Sequence, residues 1–246
     1  MKNEVNPLIT VYTPTYNRVG LLVERAITSV LSQTYKNFEY IIVGDGCTDT
    51  TEETVKSIND PRIRFFNIKR KRPHHNYDNE RDWFLSATYP ANFALKKAKG
   101  KWIARIDDDD IWNIDHLKKS LKFAQENNYE FISSQYEFTM YGKKQIYEGV
   151  YLKDYFKEGN SEVKIGGHST FFYKGYLKKI KYNPKCYKKK WNRVDHADFS
   201  YRLYKKGILM GFLDEVLTYM YPRVNENTIG YETVKNKMEL KKNAKF

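Results

Sequence analysis

The 246-residue chain has few of the features that hold small secreted or membrane-spanning proteins together. Its two cysteines, Cys47 and Cys186, sit far apart with no CxxC or Cys/His spacing, which argues against a disulfide framework or a structural zinc site and predicts two free thiols. No apolar run approaches the ~20 residues that cross a bilayer. The opening MKNEVNPLIT lacks the hydrophobic centre of a signal peptide, so the expected location is cytoplasmic. There is no internal repeat and no low-complexity linker. Acidic residues are in deficit, 30 against 43 basic, giving a formal net charge of +13. Nucleic acid, an anionic membrane and a polyanionic substrate would all be drawn to such a surface, so charge alone does not choose a partner. The basic residues cluster at 69–72, 178–190 and 235–245. With no RNA-binding aromatic motif, recognition-helix signature or zinc spacing, a nucleic-acid partner is not expected. The 21 tyrosines are spread along the chain and read as core filling.

What is present is a 41% hydrophobic chain, enough for a real core, in which buried-looking strands end in polar loops. Residues 8–12 (LITVY) predict a strand ending in Thr13-Pro14-Thr15-Tyr16-Asn17-Arg18. Leu22, Ala26, Ile27, Val30 and Leu31 predict a helix over 21–33, and 38–43 (FEYIIV) a second strand, broken by Gly44-Asp45-Gly46-Cys47-Thr48-Asp49. A helix over 50–58, a strand over 62–67, a helix over 89–99 stopped by Gly100 and a strand over 101–106 follow. Residues 69–79, with Pro73, His74 and His75, have no periodicity and read as a loop. This alternation predicts an α/β domain with a mostly parallel sheet flanked by helices, and ligands at the carboxyl ends of its strands. After a helix over 115–125, shorter strands at 131–141, 144–151 and 170–173 and a helix over 198–206 predict a smaller antiparallel portion. The expected organisation is one domain, with residues 1–117 as one half and 118–246 as the other.

Asp107, Asp108, Asp109 and Asp110 follow the fourth strand directly. Carboxylates this close repel one another, and a divalent cation would offset the repulsion; a solvated turn with a helix cap is the alternative. ITVYTPTYNR, IIVGDGCTDTT and RIDDDDIW, in that order, resemble the nucleotide-sugar-binding half of a family 2 glycosyltransferase of GT-A (Rossmann-like) fold, similar to the spore-coat polysaccharide type. The likeness is strong over residues 8–117 and looser over 165–205. It implies a hexosyltransferase that uses a nucleotide-diphosphate sugar, UDP-linked, with Mn or Mg bridging the diphosphate to Asp107 and Asp109. The nucleotide site it implies comprises Thr13, Pro14, Tyr16, Asp45, Asp107 and the variable middle residue Asp108, with Asp45 accepting from a uracil ring. Gly167 and His168 would border the donor sugar and the acceptor. The acceptor would be a hydroxyl of a glycan, a lipid-linked sugar or another molecule, and transfer would be inverting.

Several residues keep a second reading. Tyr16 packs on the base or is a half-buried loop aromatic, and His168 contacts substrate or is structural. Asp49 caps the next helix, while Asp110 caps a helix starting near Ile114 or supports the metal ligands. Ala91 stands where the family often has an arginine for the diphosphate, so Arg81, Arg105 or a lysine of 69–72 would substitute. Asp195, His196 and Asp198 compete as the base: Asp195 first, His196 next because its intrinsic pKa suits proton transfer near neutrality, and Asp198 as a cap. Asn225, Glu226 and Asn227 would close the cleft. The lysine-rich 235–245 stretch would give peripheral contact with an anionic membrane. The alternatives are a basic nucleic-acid- or membrane-binding scaffold, and a nucleotidyltransferase, which lacks support from any Gly-rich loop after the first strand.

Overall fold

The computed structural model describes residues 6–69, 84, 85, 87–156, 162–190, 193–223 and 226. His74, His75, Arg81, Asn225, Asn227 and the 235–245 stretch lie outside the described residues. Strands β1 (Ile9–Thr15), β2 (Phe38–Gly44), β3 (Ile63–Asn67) and β4 (Trp102–Arg105) form the parallel half of the sheet, with β1 between β2 and β4. β1, β2 and β4 are buried along their whole length, which is why their sequences read as unbroken apolar runs.

Helix α1 runs through Val19–Leu21, a π-helical stretch Leu22–Ile27, and Thr28–Leu31. It is followed by α2 (Thr51–Ser57), α3 (Thr88–Lys97) and α4 (His116–Glu126). One apolar core lies between the sheet and α1, α2 and α4, and a second lies under α3 on the opposite face. α3 ends three residues before Gly100. A Cβ at Gly100 would lie 2.4 Å from Thr10 N, so the glycine serves the close passage of the chain over β1 and does not itself stop the helix.

The second half is sewn into the same sheet. β5 (Asp110–Trp112), β6 (Phe131–Met140), β7 (Lys143–Tyr147), β10 (Phe172–Lys174) and β11 (Met210–Met220) give the order β3-β2-β1-β4-β10-β6-β11-β5, with β7 beside β6. β10 is antiparallel to both β4 and β6. β8 (Val150–Tyr151) and β9 (Lys164–Ile165) form a separate ribbon beside α5 (Leu152–Phe156). α6 (Asp195–Lys205) joins the core under α3. The sequence expectation missed β5 and β11. Both cysteines are buried free thiols, and burial pushes the Cys186 thiol up to about 12.

Among the described residues, no helix is long and apolar enough to cross a membrane. His116, at the start of α4, stacks on Trp112 with ring centroids 4.0 Å apart and turns Nδ1 to Leu217 O at 3.0 Å. Burial pushes its pKa down to about 4, so it folds neutral. The unfolded chain binds this proton near pH 6.5, so stability rises with pH between about 4 and 6.5 and is lost as pH falls through that window. The urea midpoint should drop between pH 7 and 4.5, and His116→Gln should flatten that slope by up to roughly 3 kcal/mol. An unchanged slope in the variant would remove His116 from the account.

Candidate active site

The ends of β1, β2 and β4 converge. Thr15 Oγ1, at the end of β1, donates to Asp108 Oδ2 at 2.8 Å, and the Asp45 N–H, just past β2, donates to Thr15 O at 2.9 Å. Thr13 Oγ1 and Tyr40 OH share a hydrogen bond at 2.8 Å, and Pro14 is buried opposite Val43. Thr13 and Asp45 are therefore part of the floor at the strand ends, with Asp45 only 1% exposed. Tyr16, the first residue beyond β1, is half-buried. Asp49 accepts from the Thr51 N–H and hydroxyl at 3.2 and 2.5 Å, the helix-start role expected of it.

The four aspartates alternate. Asp108 and Asp110 are buried, while Asp107 and Asp109 face outward with side chains 31% and 20% exposed. Burial pushes Asp108 and Asp110 up, and for Asp110 the neighbouring Asp109 and Asp107 charges push further. Asp110 caps no helix: it opens β5, and α4 begins after Asp115. Ser169 Oγ donates to Asp110 at 2.5 Å while accepting the Asp107 N–H at 2.9 Å, so Asp110 fixes the backbone of the outward pair.

Each outward carboxylate already attracts cations. Asp107 Oδ1 accepts from Arg105 Nε and a terminal nitrogen at 3.1 and 3.0 Å, and although burial opposes ionisation, Arg105 and His168 hold its pKa far below the carboxylate range. Asp109 Oδ2 takes Arg223 at 2.9 and 3.0 Å and Arg18 at 3.5 Å. Arg18 also reaches Asp108 at 3.0 Å. Arg25 ties the same corner by donating to the carbonyls of Asp109, Tyr221 and Pro222. Two carboxylates, oxygen donors only, on a solvent-reached edge fit a hard divalent ion such as Mg or Mn.

His168 links this edge to α6. Its Nδ1 faces Asp107 Oδ2 at 3.6 Å, its Nε2 lies 3.1 Å from Asp195 Oδ1, and its ring crosses that of His196 at 4.0 Å. Asp195 is 2% exposed, with Oδ2 accepting from Thr88 Oγ1 at 3.1 Å. Burial opposes its charge, but His168 and His196 hold it ionised well below the usual range. His196 stands nearer solvent, its side chain 24% exposed against 4% for Asp195. Burial, then the His168 charge, pushes its pKa down to about 4, leaving a neutral imidazole at neutral pH. It borders a cleft of about 140 Å³ whose other walls include Tyr136, Tyr147, Gly167 and Ser200.

Two further expectations are corrected. Asp198 is no cap: it lies inside α6, fully buried between Arg202, at 2.7 Å, and Lys189. Arg105 is 1% exposed and packed under Asp107 and Tyr182, so it cannot reach a diphosphate. Next to Gly167, Gly166 packs against the protein's own chain, since a Cβ there would lie 2.4 Å from Ser134 O. Lys69 is exposed. Ala91 is wholly buried in the core, and Glu226 donates its N–H to Arg223 O in a turn. The sequence reading gave no role to Arg223, Thr88 or Ser169, whose partners lie in distant segments.

The family model for glycosyl transferase family 2 matches residues 10–80 and 88–210. The UDP-Glc:alpha-D-GlcNAc-diphosphoundecaprenol beta-1,3-glucosyltransferase of Escherichia coli is 31% identical over 130 residues, 53% of this chain and 46% of that protein. The Staphylococcus aureus TarS structure, residues 1–349 in complex with UDP-GlcNAc, superposes with a TM-score of 0.63 at 21% identity, covering 89% of this chain and 60% of that one. The mannosyltransferase PcManGT of Pyrobaculum calidifontis, in complex with GDP-Man and Mn2+, gives 0.61 at 15% identity, covering 88% and 57%. These two likenesses show a shared fold. The chain spans less than half the length of several curated relatives it matches.

Proposed function

Because this chain belongs to glycosyl transferase family 2, we propose that it moves a sugar from a nucleotide-diphosphate sugar, UDP-linked, to a hydroxyl of a glycan or lipid-linked acceptor, with inversion. The observation that carries the reading is a separation of roles across His168. An outward carboxylate pair, Asp107 and Asp109, stands on one side, and a neutral imidazole at the cleft, His196, on the other. The UDP-GlcNAc-bound TarS and the E. coli UDP-glucose enzyme support a UDP donor, and the Mn-bound mannosyltransferase supports a divalent ion.

Asp107 and Asp109 would hold Mn or Mg, which when bound neutralises charge developing on the departing diphosphate. Arg18 and Arg223 lie on the same carboxylate and are the cations placed to meet the diphosphate, a task the buried Ala91 position cannot perform. Tyr16 and Asp45, just beyond β1 and β2, would hold the nucleobase. His196 takes the proton of the acceptor hydroxyl. Asp195, 3.8 Å from its Nδ1, orients the ring and stabilises the charge it gains. A base on the acceptor side, with the leaving group held on the other, suits a single displacement.

The test is a panel of nucleotide sugars incubated with the protein and MnCl2, read as released nucleoside diphosphate, alongside the melting temperature with UDP and Mn. Release from one donor and a rise in melting temperature are expected. Neither signal with any donor, in Mn or Mg, sinks the proposal, and release of pyrophosphate would point to nucleotidyl transfer.

A further inference from the structure

Beneath the cleft, two imidazole nitrogens and one carboxylate oxygen face one another. His168 Nε2 and His196 Nδ1 are both buried, and neither has a well-aligned hydrogen bond, although buried ring nitrogens are normally satisfied. They sit 3.1 and 3.8 Å from the same atom, Asp195 Oδ1, and ligating atoms of the three residues all fall within 4.8 Å of one another. Atoms bound tetrahedrally to a first-row ion at about 2.0–2.2 Å are about 3.4 Å apart, a separation that the 3.1 and 3.8 Å distances bracket.

The surroundings match those of a metal centre. The remaining His168 nitrogen, Nδ1, faces Asp107 Oδ2, the carboxylate–histidine–metal arrangement that fixes the ring's tautomer. Thr88 Oγ1 holds the other Asp195 oxygen. We propose that His168, Asp195 and His196 form a site for a borderline transition ion, Zn2+, separate from the oxygen-only pair Asp107 and Asp109. Two nitrogens and one carboxylate suit zinc, whereas Mg prefers oxygen throughout.

The consequence is regulatory, and this second part rests on the reading of His196 as the base. A zinc ion on Nδ1 confines the ring proton to Nε2, so that nitrogen can no longer accept one from an acceptor hydroxyl. Zinc would then silence transfer without displacing Mn from Asp109.

Co2+, which reports tetrahedral nitrogen and oxygen ligation by its visible absorption, is the probe. Titration of the metal-free protein should develop one equivalent of that band, removable by Zn2+. The band should vanish in His168→Gln and in His196→Asn, weaken by about 10- to 100-fold in affinity in Asp107→Asn, and persist in Asp109→Ala. Imidazole nitrogen NMR of the unaltered protein, read with and without Zn2+, should move His168 Nε2 and His196 Nδ1, and does not depend on variants folding. No cobalt band, a band that survives in both histidine variants, or unmoved nitrogens would overturn the site. Zinc that binds but leaves transfer at saturating Mn unchanged would overturn the regulatory part, while the binding readouts stand whether or not the protein transfers sugar.

Discussion

His196→Gln should lower sugar transfer by about 10²- to 10⁴-fold while leaving the nucleotide-dependent rise in melting temperature intact. The expectation follows from exposure and charge together. Asp195 is ionised but nearly inaccessible and bonded to Thr88, so it meets no acceptor directly, whereas His196 reaches the cleft wall. With its pKa near 4, the imidazole is already in its proton-accepting form at pH 7. Transfer should therefore hold between pH 7.5 and 5.5 and fall only as the pH approaches 4. Asp195→Asn should cost less than His196→Gln, because it removes an orienting charge and leaves the imidazole in place. The reverse order would make Asp195 the base.

Asp109→Ala should abolish the extra stabilisation that Mn adds to UDP and reduce transfer by about 10²- to 10³-fold, the several kcal/mol a Lewis acid contributes to a departing diphosphate. The variant also releases Arg18 and Arg223 from a carboxylate, so stabilisation by UDP alone should hold steady or grow. That pairing of effects separates loss of the ion from loss of the fold. Calorimetry of Mn binding at fixed UDP measures it directly, and undiminished Mn binding in Asp109→Ala would refute the assignment. Asp110→Asn should behave differently. Its carboxyl is buried against Ser169, so its loss would act on the position of the Asp107 backbone and not on an open ligand.

The parallel strands were legible because they are buried on both faces, so LITVY, FEYIIV and WIARI stand out as apolar runs; the bounds of β2 and β4 differ from expectation by one residue, while β1 runs three residues further, to Thr15. β11 escaped notice for the opposite reason. Its pairing with β6 shifts register between Leu213 and Val216 and again before Thr218, which destroys the alternation a strand shows in sequence. β5 was hidden by its first residue, since an acidic run reads as a turn. The run does form a turn, closed by the Asp110 N–H on Asp107 O at 3.3 Å, and that turn leaves Asp108 and Asp110 buried and the other two outward, a contrast that DDDD cannot show in sequence. At the site, carboxylates and histidines were visible as residue types, and the aspartate motif came through local order. Their partners did not. Thr88, Ser169 and Arg223 reach the cluster from distant segments, and only the fold makes neighbours of them.

β10 has a further consequence for the making of the protein. During synthesis β4 emerges well before the three residues of β10 that will pair with it, and until then its hydrogen-bonding edge is open. An apolar strand with an uncovered edge is a template for another chain. The nascent protein is thus most exposed to aggregation while β1 to β4 are complete and β10 is still unmade. A short strand in the middle of the sheet therefore acts as the clasp that ends that interval.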